Sequence, residues 1–365
     1  MSTLSLTKHS EAEGLWIRGV AKTFGKATTV LRDIDLHTAP GELITIMGTS
    51  GTGKSTLLRL IAALDAPTAG TIRYDGKLLR PGQVGFVFQK AILYPHLSVR
   101  DNILFPVRLK GFEGEVDEEY LAQLLDILKL TGLEERKPAE LSGGQQQRVG
   151  IARALIRKTP LVLFDEPLAS VDEEMSASIR ADIVRLHREF GFTALYVTHD
   201  QNEALQLGHR VAVMDAGVVI QVDTPREILA NPASIQAARL TAAPALNELR
   251  MEGSEHTLAI RATAFQRAAE AGENVLTGRV QEATARIGGM LYEVELSAGQ
   301  KLTIDSGEEI TLSAQRLQVY EPSAYEPVMY ETGQQVKVSV APHDCFIFDG
   351  SGHRRAYLNR TPDNA

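Results

Sequence analysis

The stretch Leu43-Ile44-Thr45-Ile46-Met47-Gly48-Thr49-Ser50-Gly51-Thr52-Gly53-Lys54-Ser55-Thr56 decides how this chain folds. Its first five residues are a β-branched, apolar run that reads as a buried strand. The following nine fit G-x-x-x-x-G-K-[ST], a loop whose backbone N–H groups cradle phosphate. Leu57, Leu58, Ile61 and Leu64 then recur at helical spacing, so a helix begins near Lys54 and buries one face. Strand, loop and helix in this order place phosphate on loop amides and on a helix N-terminus. Gly48, Gly51 and Gly53 allow the backbone to approach and turn inward, because a Cβ would block both. Thr49, Ser50, Thr52 and Thr56 complete the phosphate-binding run. Lys54 is expected to reach β- and γ-phosphate oxygens, and the Ser55 hydroxyl to hold Mg²⁺. The competing reading is a glycine turn in a Rossmann-like sheet.

The acidic partner of such a loop lies in Leu161-Val162-Leu163-Phe164-Asp165-Glu166-Pro167. Four consecutive apolar residues indicate a strand buried on both faces, as in a parallel sheet covered by helices. Both carboxylates then emerge at the strand's C-terminal end, where open α/β sheets bind ligands. Asp165 is expected to hold Mg²⁺ through water and Glu166 to polarise an attacking water.

A second anion site is written in Leu141-Ser142-Gly143-Gly144-Gln145-Gln146-Gln147-Arg148. Ser142 can cap a helix whose apolar positions follow at Val149, Ala152, Leu155 and Ile156, and the glycines expose its first amides. By itself such a turn is most often only a cap. Beside a nucleotide loop it suggests a composite site shared between two copies.

With these motifs in place the chain resembles the ATP-binding-cassette ATPases from about Trp16 to Leu240. The resemblance implies an α/β fold, a P-loop cassette with a parallel sheet core and a helical subdomain near residues 90–158. It also implies that Phe24, in Thr23-Phe24-Gly25, stacks on adenine. Gln89, after Gly85-Phe86-Val87-Phe88, would touch Mg²⁺ and the attacking water, and His199, after Thr193-Ala194-Leu195-Tyr196-Val197-Thr198, would contact the γ-phosphate. Glu166, His199 and Gln89 are thus the expected catalytic residues, and Ser55, Gln89 and Asp165 the expected metal ligands. In that family two subunits close head to tail, so Ser142, Gly143, Gly144 and Gln145 of one would bind the ATP held by Lys54 of the other. The dimer-contact loop usually reads Leu-Ser-Asn/Ala-Leu-Asp. Here it is Leu168-Ala169-Ser170-Val171-Asp172, which keeps Asp172 and puts subunit coupling, rather than activity, in question.

The chain has 365 residues, enough for two domains, with 44% hydrophobic content and one cysteine, Cys345. A lone cysteine excludes an internal disulfide and a cysteine-based metal cluster. Met1-Ser2-Thr3-Leu4-Ser5-Leu6-Thr7 shows no apolar signal core, and no stretch approaches the roughly 20 apolar residues of a membrane span. A reducing, cytosolic setting is therefore expected. From Thr241 onward there are 11 basic and 17 acidic residues, a balance opposed to nucleic-acid binding. This last third changes texture: Gly278-Arg279-Val280-Gln281, residues 291–296, 301–304, 317–320 and 335–340 are short alternating runs, read as a small all-β, barrel-like domain. Domains are thus expected at 1–240 and 241–365.

The whole chain then resembles the ATPase subunits of bacterial binding-protein-dependent importers, the group of the maltose and other sugar, polyamine and ferric-iron systems. That implies a C-terminal dimerisation and regulatory domain of oligonucleotide-binding-like shape, and a peripheral position on the cytoplasmic face of the inner membrane. The implied partners are a second copy or a paralogue, and separate permease subunits that dock a short helix near Gln89–Phe105. A solute-binding protein acts indirectly, through them. Tyr94-Pro95-His96 resembles sugar importers, whereas Gln145-Gln146-Gln147-Arg148-Val149-Gly150-Ile151-Ala152-Arg153 resembles polyamine, iron and anion importers somewhat more. The expected cargo is a sugar. A soluble repair or translation ATPase is the remaining alternative, without the coiled coil or paired cassettes it should carry.

Overall fold

The strand Thr28–Thr38 buries Leu31, Ile34 and Leu36, with exposed residues between them and an irregularity at Asp33, whose φ is 47°. This strand (β2) pairs with β1 (Leu15–Phe24), which pairs with β4 (Ala69–Tyr74) and through it with β5 (Lys77–Leu78), all antiparallel. The computed structural model describes residues 13–25, 28–109, 116–268, 274–286, 288–322 and 330–355.

The central sheet is built from strands that show no alternation. β3 (Leu43–Met47) and β8 (Thr193–Thr198) are buried at every position, and β7 (Leu161–Asp165) at all but its last. Such strands must be covered on both faces, and the order β10-β9-β3-β8-β7-β6 meets that requirement. Here β6 is Gly85–Val87, β9 Arg210–Asp215 and β10 Val218–Asp223; only β10 runs antiparallel. One core layer joins this sheet to β1, β2 and helix α1 (Lys54–Ile61). The other joins it to α2 (Val99–Leu104), α3 (Glu118–Ile127), α4 (Gly143–Leu155) and α5 (Glu173–Phe190). A short α6 (Gln201–Leu207) follows β8. Five of these helix starts have a cap written in the sequence: Ser98, Asp117, Ser142, Asp172 and Asp200 all accept a backbone N–H.

The expected stripe Leu121, Leu124, Leu125 and Leu128 is buried, as are Val149, Ala152, Leu155 and Ile156. Leu64 departs from expectation. The first helix stops at Ile61 with Ala62 as its cap, and Leu64 lies beyond it, 48% exposed. A helical repeat cannot be read past the point where Ala63 takes a positive φ of 55°.

Arg148 is a hub of the helical region. Its guanidinium, 4% exposed, donates to the Leu128 carbonyl (2.9 Å) and the Ser178 hydroxyl (2.9 Å) and pairs with Asp182 at 2.8 Å. Lys129 stands 3.3 Å from the same carboxylate, itself 8% exposed. Removing one partner of a buried pair costs about 3–5 kcal/mol. Lys129 remains to compensate, so Arg148→Met should cost about 3 kcal/mol, or roughly 6–12 °C in a unit of this size, in a calorimetric melt.

The chain divides into two compact units, Met1–Pro225 and Arg226–Ala365, ahead of the division at residue 240 expected from texture. The reason lies in packing: Ala238, on the short helix Ile235–Leu240, joins Ala259, Phe346 and Phe348 in one cluster. The second unit also begins in a short helix, Pro225–Ala230; from Thr241 onward its described elements are strands and short 3₁₀ turns, as expected. Its ladders form a five-stranded sheet around the hairpin Val275–Arg286/Gly289–Leu296, a three-stranded sheet and the pair Gln300–Thr303/Glu309–Leu312, with one shared core. All five alternating runs lie in its strands or continue them directly. Strands Leu246–Arg250, Thr257–Arg261 and Phe346–Phe348 carry weaker signals and emerge only through pairing with one another.

Candidate functional site

Sheet order creates the site. Because β3, β8 and β7 are neighbours and parallel, with Met47 opposite Thr198 and Asp165 opposite Val197, the loop after β3 meets the carboxylates after β7 and the histidine after β8 at one edge. Gly48 is required by close approach, since a Cβ there would stand 2.4 Å from the Met214 carbonyl oxygen. Gly53, at φ 98°, is required by both conformation and space, since its Cβ would meet Leu31 at 2.6 Å.

Lys54 is buried and donates to the carbonyls of Gly48 (2.8 Å) and Thr49 (2.9 Å), with Glu166 Oε1 at 3.7 Å. Burial pushes its ammonium below the ordinary lysine range, and the charges of Glu166 and Asp165 oppose that shift. Ser55 Oγ donates to Asp165 Oδ1 at 2.8 Å. Burial raises the Asp165 carboxyl above its usual range, helped by the Glu166 charge and opposed by the Ser55 hydrogen bond. His199 Nδ1 lies 3.1 Å from Glu166 Oε2, within hydrogen-bond distance. Glu166 adopts φ 45°, held by its own N–H donating to the Val197 carbonyl at 3.0 Å. A non-glycine residue in that region costs on the order of 1 kcal/mol or more, a strain that fixes where the carboxylate points.

The Ser55 hydroxyl and Asp165 supply hard oxygen donors side by side. Mg²⁺ keeps several waters and takes one or two protein oxygens besides substrate phosphates, so this donor set fits it. Gln89 is exposed in the loop after β6. Phe24 ends β1, 44% exposed, with the Lys22 ammonium 4.9 Å from its ring centre.

The second anion site is a separate cluster. Ser142 Oγ accepts from Gln145 N (3.2 Å) and Gln145 Oε1 accepts from Ser142 N (2.9 Å), a closed capping box that leaves the serine O–H for another acceptor. Gly144 lies against Met175, where a Cβ would come 2.5 Å from Cγ. Asp172 accepts from Met175 N at 2.9 Å, so its carboxylate caps α5. No hydrogen bond or ion pair among the described residues links Ser142–Gln145 to the 48–55 loop. The structure thus gathers Lys54, Ser55, Asp165, Glu166 and His199, and keeps Ser142, Gly143, Gly144 and Gln145 apart from them.

Three residues on α4 were not singled out as functional from sequence. Gln147 and Arg153 donate to the carbonyls of Phe88 (3.1 Å) and Ile92 (2.8 Å), and Gly150 lies between them against Ala91. Gln147 reads as one of three identical polar residues, and only its 4% exposure sets it apart. Beside this contact is an open groove of about 400 Å³ in which Phe88, Ile92, Tyr94 and Leu109 leave large apolar side chains exposed. Tyr94 lines it, stacked on Phe105 with ring centres 4.3 Å apart. Pro95 and His96 are exposed but do not belong to its wall.

Comparison with known proteins agrees with this geometry. A family model described as "ABC transporter" matches residues 31–169. The chain is 45% identical over 238 residues to an sn-glycerol-3-phosphate import ATP-binding protein of Rhizobium johnstonii, covering 64% of each chain. It is 42% identical over 241 residues to the protein of the same description in Salmonella typhi, covering 65% of this chain and 68% of the relative. The match therefore spans about two thirds of these relatives' length, slightly less in the first. Among solved structures, cbiO1 of Clostridium perfringens, part of an ABC transporter complex, superposes with TM-score 0.55 at 27% identity, over 60% of this chain and 92% of that one. A dimeric ATP-binding cassette in a post-hydrolysis state with ADP and Pi superposes with TM-score 0.52 at 33% identity, over 58% and 99%. At 42% identity over more than two thirds of a relative, with the site residues assembled as above, the chain belongs to the ABC transporter ATPases.

Proposed function

We propose that this chain is the ATP-hydrolysing subunit of a binding-protein-dependent importer, acting peripherally on the inner face of the cell membrane. It would work as a head-to-tail pair with a second copy or a paralogue. The observation that carries the reading is the meeting of Lys54, Ser55, Asp165, Glu166 and His199 at the ends of three adjacent parallel strands. Lys54 exchanges the loop carbonyls it holds for the β- and γ-phosphate oxygens, while loop amides from Gly48 to Thr56 grip the rest. Ser55 and Asp165, with Gln89, would hold Mg²⁺, and the chemistry it would supply there is charge neutralisation on the phosphoryl group. Glu166, fixed by its backbone and held by His199, would take the proton of the attacking water, and His199 would contact the γ-phosphate. Phe24 stacks on adenine.

Ser142 and the amides of Gly143, Gly144 and Gln145 close on the partner subunit's nucleotide, with Asp172 at the contact. The separation of that cluster from Lys54 in one chain supports a shared site. Loss of the γ-phosphate removes the bridge and lets the pair reopen.

The apolar groove beside Gln89 supports docking of a permease segment. The acidic region 241–365 is read as a dimerisation and regulatory module, not a nucleic-acid binder. The cargo is a sugar-type solute, and the names of the relatives favour a small phosphorylated polyol such as sn-glycerol 3-phosphate. Polyamine, ferric-iron and anion import remain the second reading, on the Gln145–Arg153 stretch.

Affinity purification of the tagged chain from native membranes in mild detergent, followed by mass spectrometry, should recover polytopic permease subunits and a solute-binding protein. Cells lacking the chain should lose uptake of labelled sn-glycerol 3-phosphate but keep that of putrescine. Recovery of ribosomal or nucleic-acid partners alone would reject the importer reading.

A further inference from the structure

Helices α4 and α5 begin beside each other, and one side chain fills the gap between their first turns. Met175, in the first turn of α5, lies along Gly144, in the first turn of α4. A Cβ on that glycine would come 2.5 Å from Met175 Cγ, 2.8 Å from Sδ and 3.3 Å from Cε, so nothing as large as a methyl group fits between them. Gly144 is buried, whereas Met175 is only partly buried against the core of the helical layer. Ser142 and Gln145 close the capping box on the facing turn, and the methionine thioether supports that turn from the side. The other sulfurs of the chain are shielded. Cys345, the single cysteine, is buried, and burial pushes its thiol up to about 12, so little thiolate forms near neutral pH. Among the described methionines, Met47, Met214 and Met251 are buried, and only Met175 and Met290 are partly exposed. Met290 lies in the second unit.

From this arrangement we propose that Met175 is an oxidation site through which hydrogen peroxide, or another hydroperoxide, reversibly disables the Ser142 end of α4. The sulfur lone pair attacks one peroxide oxygen, an S–O bond forms and the O–O bond breaks. The hydroxide released takes the proton of the transferred oxygen and leaves as water. Sulfur is thereby oxidised by two electrons and the peroxide reduced. The product sulfoxide is polar and larger than the thioether. Turned toward Gly144 its oxygen has no room, and turned away it draws the side chain toward water, so in either position the turn loses its support. Reduction by two thiols reverses the step: the oxygen leaves as water and the thiols become a disulfide. The loss of activity rests on the assignment of Ser142–Gln145 to the partner's nucleotide made above. The oxidation and the displacement of the turn do not.

The test treats the full chain, as wild type, Met175→Leu and Met290→Leu, with hydrogen peroxide. Peptide masses, amide hydrogen exchange and steady-state ATP hydrolysis are followed before and after reduction by methionine sulfoxide reductases A and B with dithiothreitol. Met175 should gain one oxygen about fivefold faster than Met47 and Met214, because oxidation follows exposure. Exchange at residues 143–146 should rise several-fold as the capping box opens. Hydrolysis by wild type and by Met290→Leu should fall about tenfold in step with Met175 oxidation and return on reduction. Met175→Leu, an apolar replacement of similar volume, should lose less than about twofold of its own untreated activity. Met175 remaining a thioether while Met290 is oxidised would overturn the proposal. So would complete oxidation of Met175 with exchange at 143–146 or hydrolysis unchanged, or Met175→Leu losing as much activity as wild type. Absence of ATP hydrolysis in the untreated wild-type chain would instead count against the ATPase reading, and the masses and exchange would still decide whether Met175 is the site.

Discussion

Glu166→Gln should abolish turnover while leaving ATP bound, with steady-state phosphate release falling by about 10²–10⁴-fold, the usual contribution of a positioned general base. Glutamine keeps the size and the hydrogen bond to His199 but cannot take a proton. Lys54 loses only the Glu166 carboxylate at 3.7 Å and keeps its ammonium for the β- and γ-phosphate oxygens, so the nucleotide grip survives. With ATP unable to become ADP and phosphate, the bridged pair should accumulate as an ATP-stabilised dimer, seen in size-exclusion chromatography as a larger dimer fraction with ATP than without it. Hydrolysis within a few fold of wild type in this variant would remove Glu166 from the role assigned to it.

Lys54→Ala and Ser142→Arg subunits should each be inactive alone and partly active when mixed. Lys54→Ala removes the buried cation from the loop. Ser142→Arg replaces a capping hydroxyl with a bulky cation at the end proposed to meet the partner's phosphate, and losing the cap costs about 1 kcal/mol, which a 13-residue packed helix withstands. In a head-to-tail pair one of the two composite sites then combines the intact loop of one chain with the intact Ser142 end of the other. An equal mixture should recover roughly a quarter of wild-type activity if sites act independently, since half of the pairs are mixed and each has one intact site. No recovery, with mixed pairs demonstrated by tagged co-purification, would be incompatible with a shared site.

The chemistry-bearing residues were legible because their signals are local. A glycine loop between a β-branched run and a helical repeat, or a Ser-Gly-Gly cap before one, is specified within about fifteen residues by backbone freedom and side-chain period. The apolar runs before Asp165 and His199 likewise announced buried parallel strands, and both residues stand where those strands end. Leu64 marks the limit of such reasoning: its spacing is helical, but the chain had already turned. The weak strands Leu246–Arg250 and Phe346–Phe348 mark another, since each is stabilised by partners distant in sequence.

From sequence alone follow the P-loop fold of the first unit, the β texture of the last third and the candidates for the phosphate, metal and base roles. Their meeting was decided by tertiary structure. Strand order β3-β8-β7 brings His199 within 3.1 Å of a carboxylate 33 residues earlier and Ser55 within 2.8 Å of one 110 residues later. The same holds for the Arg148–Asp182 pair and for the ties from α4 to the Gln89 segment. Local periodicity says which face of an element is buried but not which element buries it, and that choice belongs to the packing of the whole sheet and its helices.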